Sequence, residues 1–284
     1  MTILNRIDQN TILEVNLKSL CFNYNKIVKT TTPNCITAAT VKANAYGLGI
    51  REVSKALIKQ RCNNFFVATL EEGIELRNVS KNIKIYILNG LDKNKTHQYR
   101  INNLTPVLNS IEQIKEYEKY QLSNKIRLNA ILNFDTGMSR LGMDEDETKT
   151  LVKNKNNIIK CSKILYIMSH LACGDDQKNK KNKEQLLYFT KIAHHFPKVK
   201  KTLANSAGIM LGKKYHFDMV RPGISIYGGD SQLKGKNSFK QVVTLRSRLI
   251  QIRKIRKGAT IGYGATFKAK KNMIIGTIAI GYAD

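Results

Sequence analysis

Short apolar runs rich in β-branched residues alternate with longer stretches whose apolar positions recur at helical spacing. The runs fall at 36–43, 65–70, 83–88, 104–108, 126–134, 164–172, 201–205 and 219–227. Near-continuous apolar runs of this length read as strands buried on both faces. Between them, 51–59 places Val53, Ala56 and Leu57 on one helical face. The stretch 110–120 opens with a Ser-x-x-Gln capping box, Ser110 to Gln113, and 183–195 again shows helical spacing. Eight strands alternating with helices predict an α/β fold, a TIM (β/α)8 barrel over 12–230, with an open doubly wound sheet as the competing layout.

After Gly228-Gly229 the pattern changes. A polar linker at 231–238 leads into strand-like stretches at 242–253 and 273–280 with no long helix between them. This predicts a second, β-rich domain from 231–284, joined by residues 1–11.

Composition narrows the classes. The chain has 284 residues, 42% of them hydrophobic and only four Pro, a globular balance that excludes disorder and collagen-like structure. No apolar run approaches the ~18 residues of a spanning helix. The formal net charge is +27. The basic residues are scattered, and Lys, Asn and Ile crowd the whole chain, so the charge reads as a solvated surface rather than a nucleic-acid or membrane footprint. Five cysteines with no C-x-x-C pair argue against a disulfide framework or zinc ribbon and for a reduced, cytoplasmic setting. The start of the chain does not read as a signal peptide. No metal site is expected.

In a TIM barrel the chemistry sits at the carboxyl ends of the strands. Lys42 ends the first run, Arg140 follows the fifth, His170 ends the sixth, Asn205-Ser206 end the seventh, and Arg221 to Ile224 lie in the eighth. A lysine amine held among apolar residues at such an end can form a Schiff base. The small-residue turns at 205–208 and 222–224 lie late in the barrel, where backbone N–H groups commonly bind phosphate. Together they suggest pyridoxal phosphate. Arg221 stays protonated, so it could hydrogen-bond a pyridine nitrogen without giving up a proton, which weakens the cofactor as an electron sink.

The stretch Val41-Lys42-Ala43-Asn44-Ala45-Tyr46-Gly47-Leu48-Gly49 resembles the cofactor-lysine signature of alanine racemases. The likeness continues through Asp135-Thr136-Gly137-Met138-Ser139-Arg140-Leu141-Gly142, Ser169-His170-Leu171-Ala172, Ala204-Asn205-Ser206-Ala207 and Val220-Arg221-Pro222-Gly223-Ile224. Two segments complete it, Ile261-Gly262-Tyr263-Gly264-Ala265-Thr266-Phe267 and Ile278-Ala279-Ile280-Gly281-Tyr282-Ala283-Asp284.

The resemblance implies a pyridoxal 5′-phosphate enzyme with an N-terminal barrel and a C-terminal β domain, working as a head-to-tail homodimer. It implies interconversion of L- and D-alanine, supplying D-alanine for peptidoglycan. Lys42 would hold the cofactor and serve the D-alanine face. Tyr263 would serve the L-alanine face of the other subunit's site, since racemisation needs a base and an acid on opposite faces. Tyr46, Ser206, Gly223 and Ile224 would hold the phosphate, with Asn205 beside them in the cofactor site. Arg221 would face the pyridine nitrogen, His170 would support the ring and bond Arg221, and Arg140 would contact the substrate carboxylate.

Two departures stand out. Asn133 occupies the position where many members carry a carbamylated lysine, so Arg140 would need another anion, such as chloride, nearby, or would be less rigidly held. The chain also stops at Asp284, short of the family's length, which would leave the β domain incomplete. Alternatives are a remnant that binds the cofactor without catalysis, or a racemase of another small amino acid such as serine.

Overall fold

The computed structural model describes residues 10–232 and 238–281. Part of the linker predicted at 231–238, together with Tyr282, Ala283 and Asp284 of the last motif, lies outside the described residues. The chain forms two compact units, one from Leu17–Val242 and one that combines 10–16 with 243–281.

After β1 (Thr11–Val15), which belongs to the second unit, α1 (Leu17–Thr30) leads into β2 (Ile36–Thr37) and β3 (Ala39–Thr40). Then come α2 (Lys42–Tyr46), α3 (Ile50–Lys59), β4 (Asn64–Val67), α4 (Leu70–Val79) and β5 (Lys84–Ile87). They are followed by α5 (Thr96–Ile101), β6 (Thr105–Leu108), α6 (Ile111–Ser123) and β7 (Asn129–Asn133). The unit continues through α7 (Glu145–Cys161), β8 (Lys163–Met168), α8 (Lys180–His194), β9 (Lys200–Asn205), α9 (Ser206–Met210) and β10 (Met219–Arg221).

These strands pair in parallel in the order β2-β10-β9-β8-β7-β6-β5-β4-β3. β2 and β3 are two halves of one strand broken at Ala38. The first half pairs with β10 and the second with β4, so the sheet closes on itself as an eight-stranded barrel. Ala38 keeps the seam continuous by donating to the Val220 carbonyl at 2.9 Å.

The interior is filled, not open. Ala38, Phe66, Tyr86, Val107, Ile131, Tyr166, Met168 and Met219 form one buried cluster, as expected of a barrel whose inward side chains stack in layers. Phe66 and Tyr86 pack with ring centroids 4.7 Å apart, and Tyr86 meets Tyr166 edge-on at 6.2 Å. The Tyr86 hydroxyl, which would be costly to bury alone, donates to Asn64 Oδ1 at 2.9 Å.

Two local expectations change. The run at 219–227 is a strand only over Met219–Arg221, because Pro222 has no N–H for a ladder and the chain turns at once. The Ser110 box is half made. Ser110 Oγ accepts from Gln113 N–H at 3.2 Å, but the Gln113 side chain takes the Asn109 N–H instead. A complete box does form at α4, between Thr69 and Glu72.

The second unit is built of two-stranded pairings. β1 pairs antiparallel with β11 (Val243–Ser247), and Glu14 meets Arg246 at 3.0 Å across the pair. β12 (Leu249–Ile255) pairs with β15 (Met273–Ile278), and β13 (Thr260–Ile261) with β14 (Phe267–Lys268).

Candidate active site

A cavity of about 670 Å³ opens at the carboxyl ends of the barrel strands. Lys42, Tyr46, Arg140, His170, Asn205, Ser206, Arg221, Gly223 and Ile224 all line it. Every site residue named from the barrel sequence therefore reaches one chamber. The charged side chains on its wall are Lys42, Arg140, Arg221, Asp175 and Asp230, an excess of cation that suits an anionic occupant.

Lys42 leaves the end of β3 between two fully buried residues, Val41 and Ala45. The backbone after it winds the wrong way. Ala43, Asn44, Ala45 and Tyr46 have φ of 51, 51, 55 and 57°, a left-handed turn of four non-glycine residues. Each such residue costs about 1–2 kcal/mol. Contacts outside the turn over-determine it. Asn44 Oδ1 accepts the Ile50 N–H at 2.8 Å, capping α3, and the Asn44 N–H donates to Glu72 at 3.3 Å.

Tyr46 stacks on Tyr227 with centroids 4.5 Å apart, and Tyr227 is anchored by its bond to the Thr40 carbonyl at 3.0 Å. Burial pushes the Tyr46 phenol up, so it remains a protonated donor. Glycine is required opposite it, since a Cβ on Gly223 would lie 2.2 Å from the Tyr46 hydroxyl. Ser206 Oγ accepts from Gly223 N–H at 2.9 Å and more loosely from Ser225 N–H at 3.4 Å. With its lone pairs engaged, the Ser206 proton is left to donate. Two hydroxyl donors beside a glycine turn without a Cβ fit a phosphate.

Arg221 is only 4% exposed. It donates to Thr202 Oγ1, to the Ser169 carbonyl at 2.6 Å and to the Leu203 carbonyl at 3.2 Å, and lies over the Phe66 ring. Burial lowers it to about 9, which leaves it protonated at neutral pH. His170 sits beside these cations. Burial first, then Arg221, Arg140 and Lys42, push it down to about 3, so it is neutral. The expected bond between His170 and Arg221 is not the one formed among the described residues. His170 Nε2 faces Asn205 Nδ2 at 3.1 Å.

Arg140 rides on an exposed loop after β7. Asp135 braces that loop by accepting the Gly137 and Met138 N–H groups at 2.8 and 2.9 Å. Asn133 is buried and donates to Asn109 Oδ1 at 2.8 Å, while its own Oδ1 has no hydrogen-bond partner among the described residues. Asn109 and Thr202 were not singled out from sequence, and Ser169 only as the first residue of a motif. Each is a small polar residue in or just after a strand, a weak signal until its neighbours are known. Tyr263 lies in the second unit on a short turn between Gly262 (φ 74°) and Gly264 (φ 69°), and is 97% exposed.

Comparison with known proteins agrees with this layout. The family description "Alanine racemase, N-terminal domain" matches residues 15–231, and "Alanine racemase, C-terminal domain" matches 242–284. The chain is 40% identical to an alanine racemase of Rickettsia africae, over 96% of this chain and 75% of that one. It is 41% identical to one from Brucella canis, over 96% and 72%. Its fold superposes on the crystal structure of alanine racemase from Bartonella henselae with covalently bound pyridoxal phosphate. That match has a TM-score of 0.92 and 36% identity, covering 97% of this chain and 77% of that one. The biosynthetic alanine racemase of Pseudomonas aeruginosa gives a TM-score of 0.88 at 30% identity, over 97% and 76%.

Proposed function

The chain belongs to the alanine racemase family, and on that premise we propose that it interconverts L- and D-alanine using pyridoxal 5′-phosphate. The observation that carries this reading is the convergence of Lys42, Arg140, His170 and Arg221 on one cavity beside the Tyr46 and Ser206 hydroxyls and the Gly223 turn.

When bound, the cofactor supplies an electron-withdrawing system that acidifies the α-hydrogen of the attached amino acid. The Lys42 amine holds the cofactor and moves a proton on one face of the substrate. Tyr46 and Ser206 donate to the phosphate, and Gly223 and Ile224 shape its cradle. Arg221 would offer the ring nitrogen a donor that keeps its own proton. That limits electron withdrawal and disfavours side reactions. Neutral His170, held by Asn205, would support the ring without adding charge. Arg140 binds the substrate carboxylate through a planar fork of donors.

Tyr263 is assigned the second proton transfer, acting in the site of another copy. Its near-complete exposure and flanking glycines support a role in contact with a partner. So does the apolar surface of its unit, where Leu249, Ile250, Ile252 and Ile274 are each more than half exposed in the protomer. A homodimer is therefore part of the proposal. No helix among the described residues is long and apolar enough to cross a membrane. A cytoplasmic enzyme supplying D-alanine for peptidoglycan fits that.

The test is exchange of the α-hydrogen of L- and D-alanine in deuterated water by the cofactor-loaded protein. Exchange with inversion from both enantiomers is expected, with loss of the bound-cofactor absorbance in Lys42→Ala. Cofactor binding without exchange would leave a binding protein and sink the enzymatic reading. Faster turnover of serine than of alanine would reassign the substrate.

A further inference from the structure

Beneath the cavity lies a side chain that does not line it. Gln185, midway along α8, is 0% exposed. A buried amide needs partners for its donors and its acceptor, and this one has them from two segments of the site. Nε2 donates to the His170 carbonyl at 2.9 Å and to Thr136 Oγ1 at 3.2 Å. Oε1 accepts the Ala172 N–H at 2.9 Å. A backbone N–H on one side and a backbone carbonyl on the other leave the amide a single orientation. The network then runs on. The Thr136 hydroxyl shares a 2.7 Å bond with Ser169 Oγ, and the Ser169 carbonyl takes the Arg221 guanidinium at 2.6 Å. α8 also presses on the Arg140 loop directly, since a Cβ on Gly137 would come within 2.8 Å of Lys181 Cε.

We propose that Gln185, acting with Thr136 and Ser169, is a positioning residue that locks the Arg140 loop in register with His170 and Arg221. The assignment rests on the racemase reading for what the loop binds, but the lock itself is a property of the chain. Asp135 shapes the loop from within. Gln185 fixes where that loop sits relative to the segment 169–172. A glutamate there would turn an oxygen toward the His170 carbonyl, and an apolar side chain would leave that carbonyl and the Ala172 N–H unpaired.

Two measurements test this on Gln185→Met, which keeps the volume. The first is amide hydrogen exchange on the cofactor-free protein. Faster exchange confined to 135–141 and 169–172 is expected, and uniform acceleration across the barrel would mark a merely structural role. The second is steady-state kinetics of the holoenzyme. We expect unchanged cofactor absorbance, kcat within about 3-fold, and KM for both alanine enantiomers raised about 10-fold by loss of carboxylate binding. Combined with Arg140→Lys, the KM increase should not exceed that of the stronger single variant, because both act through one contact. Multiplying effects, or a fall in kcat with KM unchanged, would overturn the proposal. Should Gln185→Met fail to fold, Thr136→Val removes the same link at its other end and must show the same local exchange pattern. If the native protein races neither enantiomer, the racemase reading fails and the exchange pattern alone decides the lock.

Discussion

Asn205 fixes the protonation of His170. Its Oδ1 accepts the Gly208 N–H at 2.9 Å, which turns Nδ2 toward His170 Nε2 at 3.1 Å. A donor faces that ring nitrogen, so Nε2 carries no proton and the imidazole is the neutral, Nδ1-protonated tautomer.

This arrangement predicts an acid limb in stability. His170 is held at about 3 when folded and returns to its ordinary value of 6.5 when unfolded. Above pH 6.5 the group is neutral in both states. As pH falls toward 3 the unfolded chain takes up a proton that the folded chain refuses, so stability is lost across that window. The slope contributed is up to about 1.4 kcal/mol per pH unit. Urea midpoints for the native protein and His170→Gln between pH 7 and 4.5 should diverge, the variant being flatter. Parallel curves would contradict the assignment.

The turn after Lys42 is strained at residues that are not glycine. Ala43 is exposed with φ 51°, so Ala43→Gly should raise stability by roughly 1 kcal/mol, since relief of the left-handed penalty exceeds the entropy gained by the unfolded chain. Ala43→Val should lose more than that, because β-branching makes the conformation worse. Denaturant midpoints of the two variants should move in opposite directions.

Gly223→Ala tests the phosphate cradle. The added methyl would lie 2.2 Å from the Tyr46 hydroxyl and 3.1 Å from Cζ, so the phenol must swing away. The expected cost is about 1–3 kcal/mol in stability and about 10-fold or more in the Kd for pyridoxal phosphate, read by titration of the absorbance. Unchanged affinity would remove Tyr46 from the cradle.

Arg221→Met should be the most damaging of these changes. It strips the partner from the Ser169 and Leu203 carbonyls and from Thr202 Oγ1 at a buried place on the cavity wall. A loss of about 3 kcal/mol or more is expected in urea unfolding. A loss under about 1 kcal/mol would mean that water replaces the guanidinium.

Much of this was legible in the sequence because the chemistry sits on regular features. Lys42 and His170 stand at or near the ends of short β-branched runs and Arg221 lies inside the eighth, and the barrel count follows from those runs. The left-handed turn was not legible, since Ala-Asn-Ala-Tyr carries no glycine and its neighbours impose the shape. β1 was missed for another reason: its partner β11 lies more than 200 residues away, with no local turn to announce the pairing. Gln185 could have been suspected. It shares a helical face with Phe189 and Ile192, all three buried, and a polar residue on an apolar stripe demands partners. Which partners they are is fixed only when two separate loops meet the helix.

The broken strand at Ala38 has a consequence for biosynthesis. The segment bearing Lys42 has β4 on one side soon after it leaves the ribosome, but its other neighbour is β10, roughly 180 residues later. At about 5–20 residues per second the nascent chain carries an open, aggregation-prone edge for roughly 10–40 s. Throughout that interval Lys42 stands beside an unsealed seam. The ring closes, and the lysine gains its full surroundings, only when synthesis has passed Arg221, the last residue of β10.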